Sequence, residues 1–172
     1  MGECLDAICF AFPGKVAGKG RPRFSSRGGK IRTFTPAKTR AAETFVKTFG
    51  RQAFAGRAPF NGPVSLSVCM MVAIPKSWSR AKRENAYWVT AKPDIDNTLK
   101  LLADSLNGIA WVDDSQIADV HVTRVYSPTA TIDRTMVSIE SLRNRPRHAP
   151  NCDYHVDQYE FECTCGLRRK AA

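Results

Sequence analysis

The sequence contains no apolar run near the roughly 18 residues that a membrane-spanning helix needs. Its best stretch, Val64 to Pro75, is interrupted by Ser65 and Ser67. No membrane partner is expected. The opening residues, MGECLDAICF, lack the basic segment of a secretory signal, which predicts a cytoplasmic protein. In that setting the six cysteines read as reduced thiols or metal ligands, not as a disulfide framework. Acidic residues are scarce at the front: residues 1 to 90 hold 16 Lys and Arg against 4 Asp and Glu.

What is present is a chain of 172 residues with 43% apolar and 24% charged side chains, enough to bury a core and too apolar to be disordered. The formal net charge is +10, which points to a polyanionic partner, nucleic acid first. This charge is unevenly spread. Residues 91 to 147 hold 7 basic and 8 acidic residues, and residues 148 to 172 hold 3 and 4. A basic first half suits the gripping of phosphates, and an acid-bearing second half suits a cation.

The stretch Lys15 to Arg32 carries Lys15, Lys19, Arg21, Arg23, Arg27, Lys30 and Arg32 with no acid among them. Gly18, Gly20, Pro22, Gly28 and Gly29 mark it as a loop or irregular hairpin whose cations reach DNA phosphates. A second basic cluster, Lys76, Arg80, Lys82 and Arg83, surrounds Trp78. That indole either stacks on an unpaired base or plugs the end of a strand.

Periodicity predicts the order β-α-β-α-β-β. Ile8 to Phe12 reads as a first strand. Thr35 caps a helix that starts at Pro36, carries Ala42, Phe45, Val46, Phe49 and Ala53 on one face, and ends near Gly56. Val64 to Val72 alternates as a strand. Asp96 caps a second helix with Ile95, Leu99, Leu102 and Leu106 as its stripe, closed by Asn107 and Gly108. Two strands follow, about Ile117 to Tyr126 and Thr131 to Leu142. The expected fold is α/β (α+β), a two-layer sandwich of one mixed sheet and two helices, with a domain over residues 1 to 147 and a tail over 148 to 172.

The densest chemistry lies in Lys92-Pro93-Asp94-Ile95-Asp96-Asn97-Thr98-Leu99-Lys100 and in Trp111-Val112-Asp113-Asp114-Ser115-Gln116. Asp94 and Asp96 point the same way if the backbone is extended, and Lys100 returns to them one helical turn later. If Asp113 or Asp114 comes back from the start of the next strand, three carboxylates meet at one end of the sheet. Such a cluster needs a cation, and hard oxygen ligands select Mg²⁺ or Mn²⁺. A metal beside a basic surface points to phosphodiester hydrolysis, with a lysine stabilising the developing charge. The plainer alternative is that Asp94 and Asp96 merely cap a helix and Lys100 is a surface residue.

KPDIDNTLK, LLADSLNG and WVDDSQI, with Gly20-Arg21-Pro22-Arg23-Phe24 and Thr35-Pro36 upstream, resemble the RusA family of Holliday junction resolvases, common in prophages. The resemblance covers about residues 8 to 142. It implies a homodimeric Mg²⁺- or Mn²⁺-dependent endonuclease that nicks opposed strands of four-way DNA in recombination and repair. Asp94, Asp96, Lys100 and Asp114 are the functional set it implies. Asp113 stands either as a further metal ligand or as a cap. Competing readings are a non-catalytic DNA-binding module, a general branched-DNA nuclease of a phage, and an adaptor that acts through its tail. In that tail Cys152, His155, Cys163 and Cys165 have the ligand count of a structural zinc site, with His148 as a substitute ligand.

Overall fold

A computed structural model describes residues 7–21, 23–27, 30–127, 131–143, 154–156 and 161–163; the side chains of residues 23, 26–27 and 30–32, and those of the last two segments, lie outside this description. Among the described residues no helix is long and apolar enough to cross a membrane.

The alternation from Val64 onward becomes β4 (Val64–Ala73). Val64, Leu66, Val68, Met70 and Val72 are all buried on one side, while Ser67, Cys69 and Met71 lie on the other and are only partly covered. Three more strands complete the main sheet: β1 (Ala7–Pro13), β5 (Ile117–Ser127) and β6 (Arg134–Ser141), in the order β1-β6-β4-β5. β6 runs antiparallel to both neighbours, and β4 and β5 run parallel. The sheet is therefore mixed. Parallel β4 and β5 require a crossover between them. Its main element is α3 (Ile95–Leu106), which runs back along the sheet from the end where β4 finishes to the end where β5 begins.

The second layer is α1 (Ala37–Ala53) and α3. Phe12 of β1 packs edge-on against Phe45 (5.8 Å between ring centres) and in a tilted arrangement against Phe49 (5.7 Å). Leu101, Leu102 and Leu106 of α3 are fully buried with Val46, Leu66, Ile139 and Trp111. The helices touch most closely at Gly50, where a Cβ would stand 2.6 Å from Leu106 Cδ2. A side chain there would push the layers apart. Among the described residues, no helix covers the opposite face of the sheet, where Ser67, Cys69, His121 and Thr123 line an open hollow.

The fold is the α+β sandwich that the pattern predicts, with local differences. Pro36, not Thr35, is the cap of α1, and Asp94, not Asp96, is the cap of α3. The basic arm is a hairpin, β2 (Arg23–Arg27) paired with β3 (Lys30–Phe34). A five-residue helix, α2 (Arg80–Glu84), is capped by Ser79 and buries none of its residues, so no apolar stripe announced it. In the tail, the backbones of β7 (Tyr154–Val156) and β8 (Phe161–Cys163) pair antiparallel. Cys152, Cys165 and His148, and the side chains of His155 and Cys163, lie outside the described residues.

Candidate active site

Asp94 takes the extended cap conformation (φ −69°, ψ 153°), yet its carboxylate makes no capping hydrogen bond. Helix closure is done by Thr98, whose backbone N–H and buried hydroxyl both donate to the Asp94 carbonyl, at 3.1 and 2.9 Å. The Asp94 carboxylate is thus spared for other work. Asp96 sits in the first turn, where a negative charge is favoured by the helix dipole. Lys100 follows one turn later. All three side chains are exposed and have no partner among the described residues. The pair straddles the start of a helix and does not lie in a strand.

Arg124 of β5 fixes this corner. It is 8% exposed, and its guanidinium donates to the carbonyls of Ala91 and Pro93, each at 2.7 Å. Its own carbonyl accepts from Val89 N–H at 3.1 Å. The loop that delivers Asp94 is therefore bolted to the sheet by one buried cation, whose charge is met by two carbonyl oxygens. From the other side the basic arm closes in. A Cβ on Gly18 would lie 2.8 Å from Pro93 Cβ, and the backbone N–H of Lys19 donates to the Asn97 carbonyl at 3.1 Å.

These contacts leave a cleft of about 880 Å³ lined by Lys15, Arg21, Lys38, Lys92 and Asp94, among others. The cations and the acid share one wall-to-wall space. Lys38 and Lys92 were not in the phosphate-binding set expected from sequence; Lys38 joins because α1 begins beside the arm, with Gly20 N–H donating to Thr39 Oγ1 at 3.2 Å. Lys19 is engaged otherwise, its ammonium paired with Asp104, and Lys15 lies 3.5 Å from Asp133. Arg23, Arg27, Lys30 and Arg32 belong to the β2–β3 hairpin, and their side chains lie outside the description. In the second cluster Arg80 pairs with Glu84, and Arg83 donates to the carbonyls of Trp78 and Lys76. Trp78 is half-buried, packed edge-on against Tyr126 (5.0 Å) with Lys82 Nζ 4.0 Å from its ring centre.

The second acidic motif is built differently. Asp113 caps the 3-10 turn Asp114–Gln116, its Oδ1 accepting from Ser115 N–H at 2.9 Å. Hydrogen bonds from Ser115, side chain first and backbone second, keep its carboxyl below the usual carboxylate range. The cap is therefore charged at neutral pH and is lost only as acid titrates it. Gln116 completes the turn: its Oε1 accepts from Val112 and Asp113 N–H, and its Nε2 donates to the carbonyls of Phe60 (3.0 Å) and Gly62 (2.8 Å). Asp114 is left exposed with no described partner.

The two motifs do not meet within one chain. Asp94 and Asp96 stand at the start of α3, whereas Asp113 and Asp114 follow its end. Among the described residues no three Asp, Glu, His or Cys side chains gather as a metal cluster. The single-chain cluster expected from sequence is absent there. Its donors still have the right chemistry: Asp94, Asp96 and Asp114 are free, hard oxygen ligands suited to Mg²⁺ or Mn²⁺.

The family model of the RusA endodeoxyribonucleases matches residues 13–140, a span that runs from the end of β1 through both acidic motifs into β6. The chain belongs to the RusA endodeoxyribonuclease family. It is also 35% identical over 129 residues to the uncharacterized protein YqaN of Bacillus subtilis (strain 168), an alignment that covers 72% of this chain and 90% of that one.

Two residues of this RusA-family site were missed in the sequence. A lone arginine in an alternating strand reads as solvent-facing, so Arg124 gave no signal. Gln116 did give one, since Asp113-x-x-Gln116 is a capping-box pattern. Arg124→Met is expected to lower the catalytic rate about 10- to 100-fold, because the Asp94 loop shifts by a fraction of its contact distance. The fold survives, with loss of about 2 kcal/mol. Single-turnover cleavage alongside thermal melting checks this, an unchanged rate contradicting the positioning role. Gln116→Ala strands four backbone groups and is expected to cost about 2 kcal/mol. Denaturant titration reads that loss directly.

Proposed function

We propose that this RusA-family protein is a Mg²⁺- or Mn²⁺-dependent endonuclease that acts as a homodimer on branched DNA, resolving four-way junctions by paired nicks. The observation that carries the reading is the cleft lined by five basic residues, Lys15, Lys19, Arg21, Lys38 and Lys92, together with Asp94, whose carboxylate makes no capping hydrogen bond. Lys15, Arg21, Lys38 and Lys92 bind backbone phosphates, and each neutralised phosphate releases counterions, so affinity falls steeply with salt. Asp94 and Asp96, with Asp114, are the residues that would hold the cation. When bound, such an ion polarises the scissile phosphate and supplies hydroxide at neutral pH. Lys100, one turn from Asp96, presents its ammonium to the phosphate oxygens as negative charge builds on them. Arg124 and Gly18 hold the geometry by fixing Pro93 between the sheet and the arm.

A non-catalytic DNA-binding module would use the same cations but leave Asp94 and Asp96 without a task. The experiment is incubation with end-labelled four-way, Y-shaped and linear duplex DNA, in Mg²⁺ or EDTA. Symmetric nicks in the four-way substrate, lost in EDTA, are expected. Equal cutting of linear duplex would instead assign a general nuclease, and no cutting of any substrate a binding module. A structural zinc in the 148–172 appendage, on Cys152, His155, Cys163 and Cys165, remains part of the proposal. Its zinc content is expected to vanish in a Cys163→Ser, Cys165→Ser variant.

A further inference from the structure

The basic arm ends in a hairpin that stands apart from the main sheet: β2 and β3 pair with each other in a two-stranded sheet of their own. Such a ribbon is at best marginally stable in water, so it gains from a surface to lie on. Its two feet are in the cleft. Gly20 and Arg21, before β2, and Pro36 and Lys38, after β3, all line it, and Gly20 N–H ties the feet together by donating to Thr39 Oγ1 at 3.2 Å. From the feet to the tip the ribbon is five residue pairs long, about 17 Å. A two-stranded ribbon of this kind fits a groove of duplex DNA.

The register divides the charge. β2 and β3 pair without a break from Arg23 opposite Phe34 to Arg27 opposite Lys30. Strand alternation then assigns positions 23, 25, 27, 30, 32 and 34 to one face of the ribbon and positions 24, 26, 31 and 33 to the other. All four basic residues of the hairpin, Arg23, Arg27, Lys30 and Arg32, fall on the first face. The second carries Phe24, Ser26, Ile31 and Thr33, and no charge. Phe24 is 73% exposed, its ring left to solvent.

A fully stacked duplex offers phosphates to a cationic face but hides the flat faces of its bases. Where stacking is interrupted at a branch, a base face opens and an apolar ring can occupy the gap. Phe24 is placed for this. It lies three residues beyond Arg21, about 10 Å of extended chain from the cleft, the length of about three base steps. We propose that the β2–β3 hairpin recognises the branch: its cationic face follows a phosphate backbone, and Phe24 enters the interrupted stack at the branch point. The proposal rests on the nuclease reading above and names what makes that site prefer branched to linear DNA.

The test uses the full-length protein and four-way DNA carrying 2-aminopurine at the branch, in EDTA so that binding is read without cleavage. The fluorescence of 2-aminopurine rises when the base loses its stacking neighbour. Wild-type protein is expected to raise it on four-way DNA and not on linear duplex. Phe24 lies outside the core, so its replacement spares the fold. Phe24→Ser should lose most of the fluorescence rise, and its preference for four-way over linear DNA should fall about 10- to 100-fold. Phe24→Leu, which keeps an apolar wedge, should retain most of both. An Arg27→Ala, Lys30→Ala variant should instead weaken both substrates alike and flatten the salt dependence by about two counterions. Unchanged fluorescence and preference in Phe24→Ser would overturn the proposal. So would a Phe24→Ser protein that loses both because it sediments as a smaller species than wild type, which would assign the apolar face to a contact between copies. A wild type that shows the fluorescence rise but cuts no DNA in Mg²⁺ would leave the hairpin's role standing and remove the nuclease reading alone. Four-way cleavage in Mg²⁺ by a wild type that gives no rise would do the reverse.

Discussion

Asp96→Asn is expected to slow cleavage of branched DNA by about 100- to 1,000-fold or more while leaving DNA binding intact or tighter. The substitution keeps the size of the side chain and removes a single charge. That carboxylate is exposed and makes no contact with a described residue, so no packing is lost. Its only structural contribution is to the helix dipole in the first turn, about 0.3–1 kcal/mol, too little to unfold a domain. Binding persists because the cleft cations are untouched, and tightens to the extent that an acid facing phosphates has been removed. Gel-shift affinity and single-turnover cleavage measured on the same preparation separate the two effects. Wild-type turnover by Asp96→Asn would contradict the assigned role. Asp113→Asn is the matched control: it weakens a cap, and its effect should appear in melting before it appears in cleavage.

Trp111→Ala is expected to cost about 4 kcal/mol and to lower the melting temperature by about 10 °C. Trp111 is fully buried at the seam where α3 ends and the acidic turn begins. Its backbone bridges both Phe60 and Asn107, and its indole N–H is matched to the Asn107 side chain. Alanine leaves a cavity the size of an indole under Leu101, Leu102 and Leu106, and orphans the Asn107 oxygen as well. Trp111→Phe should recover most of the apolar term, leaving a deficit of about 1–2 kcal/mol from the unpaired Asn107 carbonyl oxygen. Differential scanning calorimetry of the two variants gives the order. Equal melting of Trp111→Ala and wild type would mean that this residue does not anchor the far end of α3.

What the sequence made legible was local. Lys100 one turn after Asp96 and the alternation of β4 follow from periods of 3.6 and 2 and appear where the pattern put them, whereas the stripe of α3 is rotated: Leu102 and Leu106 are fully buried and Leu99 partly, but Ile95 is 44% exposed and Leu101 enters the core instead. The α1 start moved by one residue because Pro36 takes the cap conformation itself. Illegible were the contacts that cross the chain. Gln116 reaches carbonyls 54 and 56 residues away, and Arg124 reaches back 31 and 33 residues. The first holds Asp114 at the far end of α3 and the second holds Asp94 at the near end. Bringing both motifs to one place looked natural from their types and order, yet the rigid helix between them prevents it within a single chain. α2 escaped for a different reason, having no buried residue to impose a period.

The most direct measurement of the account is made on a supercoiled plasmid that extrudes a single cruciform. Two coordinated nicks across the junction convert the plasmid to a linear molecule, whereas a single nick gives a relaxed circle. With Mg²⁺ the wild-type protein should yield linear product mapped to the cruciform, none in EDTA and none with Asp96→Asn. Relaxed circles nicked at random positions, or linear product that persists in EDTA or with Asp96→Asn, would contradict a metal-dependent nuclease that resolves four-way DNA by paired cuts.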